Sequence, residues 1–365
     1  MTDRHPDRPV LGSPVPVPGS AAADRPERGR PRQPTVLRVR SPSDLLALTP
    51  RLLGFHPEDS VVMITVGPAA AAFHARVDLP GDHVGAAAVA TQLSAVAARH
   101  GVRLVALLAY TEDAGSAEAV LDALGEALAR RRVGVACCVR ADGARWWDLM
   151  APRVGPDDPG RPYDARTHPL MAQAVLDGQV VHRSRQALAD SLDPADPDEV
   201  GRVDTLARSL AGGRSGGRAD DLADDLADDL ADDLAWLTRR IAGFLAEGDR
   251  MDAEDLARLC VLVCEDVGLR DAVWGRMERA DADRHVDLWR DVVRRVPVRL
   301  LATPAALLGF AAWLSGDGAL AWCAVERALA ADPDHRMAAL VARALEDAVP
   351  PDAWRPVAPV PPHPA

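Results

Sequence analysis

Val102-Arg-Leu-Val-Ala-Leu-Leu-Ala-Tyr110, Ala117-Glu-Ala-Val-Leu-Asp-Ala-Leu-Gly-Glu-Ala-Leu-Ala-Arg-Arg-Arg132 and Val133-Gly-Val-Ala-Cys-Cys-Val139 follow one another closely in the chain. The first and third are nearly unbroken apolar runs of strand length, the pattern of strands buried on both faces. The second spaces its leucines and valine as one face of a helix. A strand, a helix and a strand in this order predict a sheet with helices packed on it. The flanking sequence extends the pattern. Val61–Val66 is a further buried strand and Ala72–Leu79 another, with Gly67-Pro68 predicting a hairpin between them. Residues 84–100 form an Ala-rich helical stretch. After Val139, the turn Ala141-Asp142-Gly143 sends Ala144–Met150 back as an edge strand.

Order begins at the β-branched run Thr35–Val39. Ser41-Pro42-Ser43-Asp44 then has the spacing of a capping box, with proline where a first helical turn tolerates it. Pro50 disfavours helical geometry at Thr49, so that helix is expected to stop there. The fold class is therefore α/β over residues 35–192, a mixed, three-layer-like sheet with packed helices. Val154–Pro169 reads as a long loop at its boundary, and residues 170–192 as helical, broken at Gly178 and restarting near Ser184. Asp193-Pro-Ala-Asp-Pro-Asp198 and the glycines of 212–217 bracket a linker at 193–218. Residues 219–349 are helical in pattern, which predicts an all-α C-terminal domain. Residues 1–34, rich in Pro, Arg, Asp and Gly, are expected to be a disordered leader, and the Pro-rich tail 350–365 to be loose.

A chain of 365 residues exceeds one ordinary hydrophobic core, in keeping with two domains. No run of about 18 uncharged apolar residues occurs, and Asp3, Arg4 and Asp7 stand where a signal peptide needs apolar residues. A cytoplasmic location follows, and the five cysteines, with no Cys-x-x-Cys pair, fit a reducing compartment. All 42 basic residues are Arg, so a Schiff-base or phosphate-loop lysine is impossible. Removing the eight aspartates of residues 220–233 from the net charge of −12 leaves only −4, a nearly balanced chain without the electrostatic footprint that DNA binding needs. Neither nucleic acid nor a membrane is expected as a partner, and no cofactor is predicted.

The Ala-Asp-Asp-Leu tract, 219–235, places Leu222, Leu226, Leu230 and Leu234 on one slowly rotating stripe, with aspartates that repel at i,i+4. A divalent-cation patch is one reading and a solvated helix the other; the second is preferred. Cys260 and Cys264 share a helix face, and Cys137 and Cys138 share a strand. No zinc spacing accompanies them, so they read as small core residues and no metal site is expected. His56, Asp59 and Ser60 supply a base, an acid and a hydroxyl in five residues. They precede a strand, however, whereas ligands of open α/β sheets gather at the carboxyl ends, so a capped turn is the preferred reading. In Arg145-Trp146-Trp147 the two indoles must face opposite ways. One is expected in the core, and the other, with Arg145, could form a recognition surface.

Several of these runs resemble a known family. Leu37-Arg-Val-Arg-Ser-Pro-Ser-Asp-Leu-Leu-Ala47, Leu52-Leu-Gly-Phe-His-Pro-Glu-Asp-Ser-Val-Val62 and Arg76-Val-Asp-Leu-Pro80 are similar to domain of unknown function 4192, an actinobacterial family. Arg145-Trp146-Trp147, Ala172-Gln-Ala-Val-Leu-Asp-Gly178 with Ser184-Arg185, and Ala311-Ala-Trp-Leu-Ser-Gly-Asp-Gly-Ala-Leu-Ala-Trp322 match it as well. The resemblance spans about residues 35–355 and implies an actinobacterial cytoplasmic protein, with no activity attached. Family members often carry cysteines just after the Arg-aromatic-Trp strand; Asp148–Pro162 has none, which argues against a thiolate role there. Leu308-Gly309, Ala321, Val325, Ala328 and Asp332-Pro333 are also similar to one tetratricopeptide hairpin, although such arrays need about three repeats. The leading functional expectation is a non-enzymatic interaction or regulatory module with an unidentified protein partner. The alternative is an enzyme or small-molecule binder acting on a polar ligand at the sheet, near Arg145, Trp146, Trp147, His56, Asp59 and Ser60.

Overall fold

A computed structural model of the protein describes residues 14–16, 36–67, 73–151, 158–165, 167–169, 171, 180–217 and 223–357. The chain divides after Arg185 into two compact units. The first holds a mixed α/β sheet and the second is helical.

In the first unit, β1 (Pro14–Pro16) pairs antiparallel with β2 (Val36–Arg38), so three residues of the expected leader are strand; the rest of 1–34 lies outside the described residues. Helix α1 (Pro42–Leu53) starts as its sequence predicts. The Ser41 hydroxyl accepts from the Asp44 N–H, and the Asp44 carboxylate accepts from the Ser41 and Arg40 N–H groups, completing the capping box. It does not stop at Thr49 but runs through Pro50 to Gly54, whose φ of 73° ends it. An interior proline costs about 3 kcal/mol. Burying Leu45, Leu46, Leu48, Leu52 and Leu53 contributes about 1.5–3 kcal/mol each, so burial decides the outcome.

The remaining elements are β3 (Ser60–Thr65), β4 (His74–Asp78), α2 (His83–Arg99), β5 (Leu104–Tyr110), α3 (Ala114–Arg130), β6 (Gly134–Ala141), β7 (Arg145–Asp148) and β8 (Arg161–Pro162). The strand order is β4-β3-β5-β6-β7-β8. β5 and β6 are parallel, and β3 is antiparallel to both neighbours. Helix α2 therefore carries the chain across β3, and α3 carries it from β5 to β6. Both helices lie on one face, where Val61, Met63, Val105, Leu107 and Ala109 meet Leu93, Ala97, Val120, Leu121, Leu124 and Leu128. The alternate residues Val62, Ile64, Ala106 and Leu108 are buried on the opposite face, where α1 supplies its leucines. This is the expected three-layer arrangement. Ala144–Met150 is not the edge, because β8 pairs outside β7.

The second unit contains α4 (Arg185–Asp190, begun in the last residue of the first unit), α5 (Pro197–Gly217), α6 (Ala223–Glu247), α7 (Ala253–Glu265), α8 (Val267–Trp274), α9 (Ala282–Val293), α10 (Ala302–Ser315), α11 (Gly318–Ala331) and α12 (Arg336–Glu346). The expected linker at 193–218 is thus largely α5. Its Val203 and Ala207 are fully buried, and Glu199 accepts from the buried Arg295 and from Arg250. Asp291 of α9 completes the same cluster. The glycines that suggested a linker fall in the last turns of this helix. In α6 the row that packs inward is Asp233, Leu237, Ile241 and Phe244, while Leu230 is exposed. A four-residue repeat advances about 40° per unit around a helix of 3.6 residues per turn, so the leucine stripe has rotated off the core by that point. Residues 219–222 lie outside the described residues, as does Ala172–Gly178. Helices α10 and α11 approach closely at Gly309, where a Cβ would sit 3.0 Å from Val325. The tail is not loose as far as Val357: the short helix Pro351–Ala353 leads to Trp354, whose ring stacks on Trp274. Residues 358–365 lie outside the described residues. Among the described residues no helix is long and apolar enough to cross a membrane.

Candidate functional site

Parallel β5 and β6 both end, at Tyr110 and Ala141, on the same edge of the sheet. Because β3 runs antiparallel to β5, Ser60 pairs with Tyr110, and the His56–Ser60 turn lies beside Thr111–Asp113. This turn therefore sits at the carboxyl end of β5, not at the opposite end of the sheet as its place before a strand suggests.

Each side chain there has a defined partner. Asp59, at a positive φ of 38°, accepts at Oδ1 from the Thr111 hydroxyl at 2.8 Å, and its carbonyl accepts from Leu79 N–H. The fully buried Ser60 hydroxyl donates to the Glu58 carbonyl and accepts from Arg76 Nε at 2.9 Å. Arg76 in turn pairs with Asp78 at 2.6 Å. A hydroxyl whose proton goes to a carbonyl is not activated by a base, so Ser60 is not arranged as a nucleophile. His56 is half-buried, and its backbone N–H donates to the backbone carbonyl of His182 at 3.0 Å, beside the Phe55–His182 bridge. At the start of α3, Asp113 accepts from the Ser116 hydroxyl and N–H and from the Gly115 N–H. The Ser116 bonds lead in holding its carboxyl below the ordinary carboxylate range.

The second group of sequence candidates joins the first through Arg140. Its Nη1 donates to the carbonyls of Thr111 and Glu112 at 3.3 and 3.2 Å, and its guanidinium lies 3.6 Å from the centre of the Trp147 ring. Trp147 is also packed against Gly160, where a Cβ would be only 2.5 Å from the indole and φ is 67°. Its Nε1 donates to the Asp158 carbonyl at 3.0 Å. Arg145 is exposed, and its Nη1 donates to the carbonyls of Pro159 and Gly160. Trp146 points to the opposite face, is 4 % exposed, and is covered by the Arg161 guanidinium at 4.9 Å. One continuous chain of contacts, Asp59 to Thr111 to Arg140 to Trp147, thus links two clusters that are more than 80 residues apart in sequence.

Sequence reasoning missed Thr111, Arg140, Arg76 and Gly160. A signal existed for Arg140, a lone charge closing an apolar strand. None existed for Thr111, whose importance depends on which strand lies beside it. The arrangement is a polar rim whose guanidinium and carboxylate groups are largely turned on one another and on backbone carbonyls.

None of the five cysteines is in a disulfide. Burial pushes Cys138 up to about 12 and Cys264 to about 11, so both remain protonated at neutral pH. Among the described residues no cluster of three or more His, Cys, Asp or Glu could hold a metal ion. Searches of curated proteins and of solved structures each gave no match. The family model for a domain of unknown function, DUF4192, matches residues 42–352, from the first turn of α1 to Asp352, and the chain belongs to that family.

Proposed function

We propose that the protein is a cytoplasmic, non-enzymatic interaction or regulatory module, with the α/β unit as scaffold and the helical unit as the partner surface. The observation that carries this reading is the occupation of Trp147 and Arg145. The indole and guanidinium that a pocket would need at β7 instead clamp residues 158–160 of their own chain. Five cysteines without a disulfide fit a reducing cytoplasm. The partner is a protein or a small molecule rather than nucleic acid, given a net charge that stays slightly negative even without the aspartate tract.

A second reading, a binder of a polar small molecule, is favoured by the position of Asp59 and Ser60 beside the carboxyl end of β5. Capture of the full chain from an actinobacterial lysate, with mass spectrometry of proteins and retained metabolites, tests both. The module reading expects a protein partner retained by Arg145→Ala and lost on substitution of an exposed helical residue such as Leu340→Arg. A retained metabolite lost in Arg140→Ala, with no protein partner, would establish the second reading in its place.

A further inference from the structure

The helical unit ends in a segment that behaves as a ligand of its own domain. After α12 the backbone adopts polyproline-like dihedrals at Pro350 (φ −70°, ψ 141°) and at Trp354 (φ −72°, ψ 138°), on either side of one short turn. Trp354 is the anchor. Its ring stacks on Trp274 at 5.2 Å and meets the edge of Phe310 at 4.9 Å, and its Nε1 donates to the Met277 carbonyl at 3.0 Å. Trp274 is itself held in place, edge-on to Phe310 at 5.0 Å and donating from Nε1 to Asp271. Past the anchor, Val357 N–H donates to the Gly275 carbonyl at 2.7 Å. Ahead of it, Asp352 pairs with Arg279.

Of the rest of the segment, Pro351 is half-buried and the other side chains are exposed. Asp352, Ala353, Arg355, Pro356 and Val357 are exposed, and a cleft of about 360 Å³ remains between Arg355 of the tail and Glu278 and Leu314 of the body. A core element buries most of its side chains. This one buries part of one indole and part of one proline and makes a few directional bonds, which is how an extended proline-flanked peptide docks in an aromatic-lined groove. Indole anchors of this kind dominate binding energy.

We infer that Trp274, Phe310 and Met277, with Arg279, form a peptide-recognition groove for a proline-flanked tryptophan with an acidic residue two positions before it, and that the chain's own tail fills it in cis. The partner's segment has the chemistry of residues 350–357 and displaces the tail to bind. This deepens the interaction-module reading and rests on it.

The test uses the full-length chain carrying Trp354→Ala and a fluorescein-labelled peptide of residues 349–358. The peptide binds the variant, and binds the wild-type chain about 10-fold or more weakly, because a tethered competitor acts at an effective concentration of order millimolar. The same peptide with Trp354→Ala binds neither. Should Trp354→Ala fail to fold, the full-length double variant Asp352→Ala, Val357→Pro decides the matter; it loosens the tail from its own side while keeping the indole, and tighter peptide binding than wild type supports the groove. A folded variant that does not bind the peptide overturns the inference, as does unfolding of both variants, which makes the segment core. A wild-type dimer that dissociates on dilution and is lost in Trp354→Ala also overturns it, since a second copy's tail would then be the occupant. The peptide assay needs no host partner. Its failure beside a captured partner sinks the groove alone, and loss of the captured partner beside peptide binding sinks the module reading.

Discussion

Trp146 and Trp147 are neighbours in sequence with unrelated jobs, because successive side chains of a strand point to opposite faces. Trp146→Ala removes a buried ring and leaves a cavity, an expected loss of about 3–5 kcal/mol in denaturant unfolding. Trp147→Ala costs less globally, since that ring is half-buried, and its effect is local: residues 158–160 lose the indole they rest on and become sensitive to protease. Alternation told us that the two rings diverge; it did not reveal that the outer one would be covered, because Arg140 and Gly160 come from distant positions. Histidines add a pH dependence that the sequence does not show. Burial holds His74 down to about 4, and it also lowers His335, whose Nδ1 caps α12 by accepting from Ala338 N–H. Both are depressed relative to the unfolded chain. Between pH 6.5 and about 4 the unfolded state therefore binds protons that the native state does not, and stability falls as pH falls. Thermal midpoints measured from pH 7.5 to 4 should drop, and the drop should be shallower in His74→Gln. An equal slope in that variant would show that His74 does not contribute.

At the scale of elements, propensity and periodicity were sound guides for the sheet and its crossovers, and poor ones in the glycine-rich stretch before the aspartate tract. Helix α5 was hidden by its glycines, yet it is fixed by Val203, Ala207 and Glu199, whose partners Arg250 and Arg295 lie 51 and 96 residues away. No local pattern reports such a partner. Arg295 is nearly fully buried, so removing one of its two carboxylates leaves charge poorly compensated. Glu199→Ala should cost about 3 kcal/mol, the lower end of the range for a broken buried pair because Asp291 remains. A loss below about 1 kcal/mol would return residues 197–217 to the status of a dispensable connection. The aspartate tract is predicted to behave in the opposite way. Among the acids of the tract whose burial is described, Asp233 alone is buried, paired with Arg258 at 3.1 Å, and the register from Asp233 onward is unchanged when an earlier Ala-Asp-Asp-Leu unit is deleted. Such a deletion should leave the thermal midpoint within about 2 °C, no more than the low end of what 1 kcal/mol would move in a domain of this size. Millimolar calcium or magnesium should not raise the midpoint, whereas selective binding to the native state would.

For the whole molecule, the two compositional halves of the sequence correspond to two units with separate cores, one built around β3, β5 and three helices and the other around α7 to α11. The boundary was legible only to within a few residues, because the proline-rich stretch at 193–198 looked like the junction and is instead tied to the helical unit: Arg327 and Arg294 donate to Asp193. A unit of about 150 residues buries close to 70 % of the surface its unfolded chain exposes, enough to fold alone. Residues 36–185 and 186–357, produced as separate chains, should therefore each unfold cooperatively on heating, with far-UV circular dichroism spectra that sum to that of the full chain. The helical piece should be the more sensitive to where it ends. A version stopping at Pro350 lacks the Trp354 ring and the Val357 bond, so its midpoint should fall by a few degrees while its helicity is unchanged. If 186–357 is unfolded alone but ordered in the full chain, then its core is incomplete without the sheet, and the protein is one cooperative body rather than two.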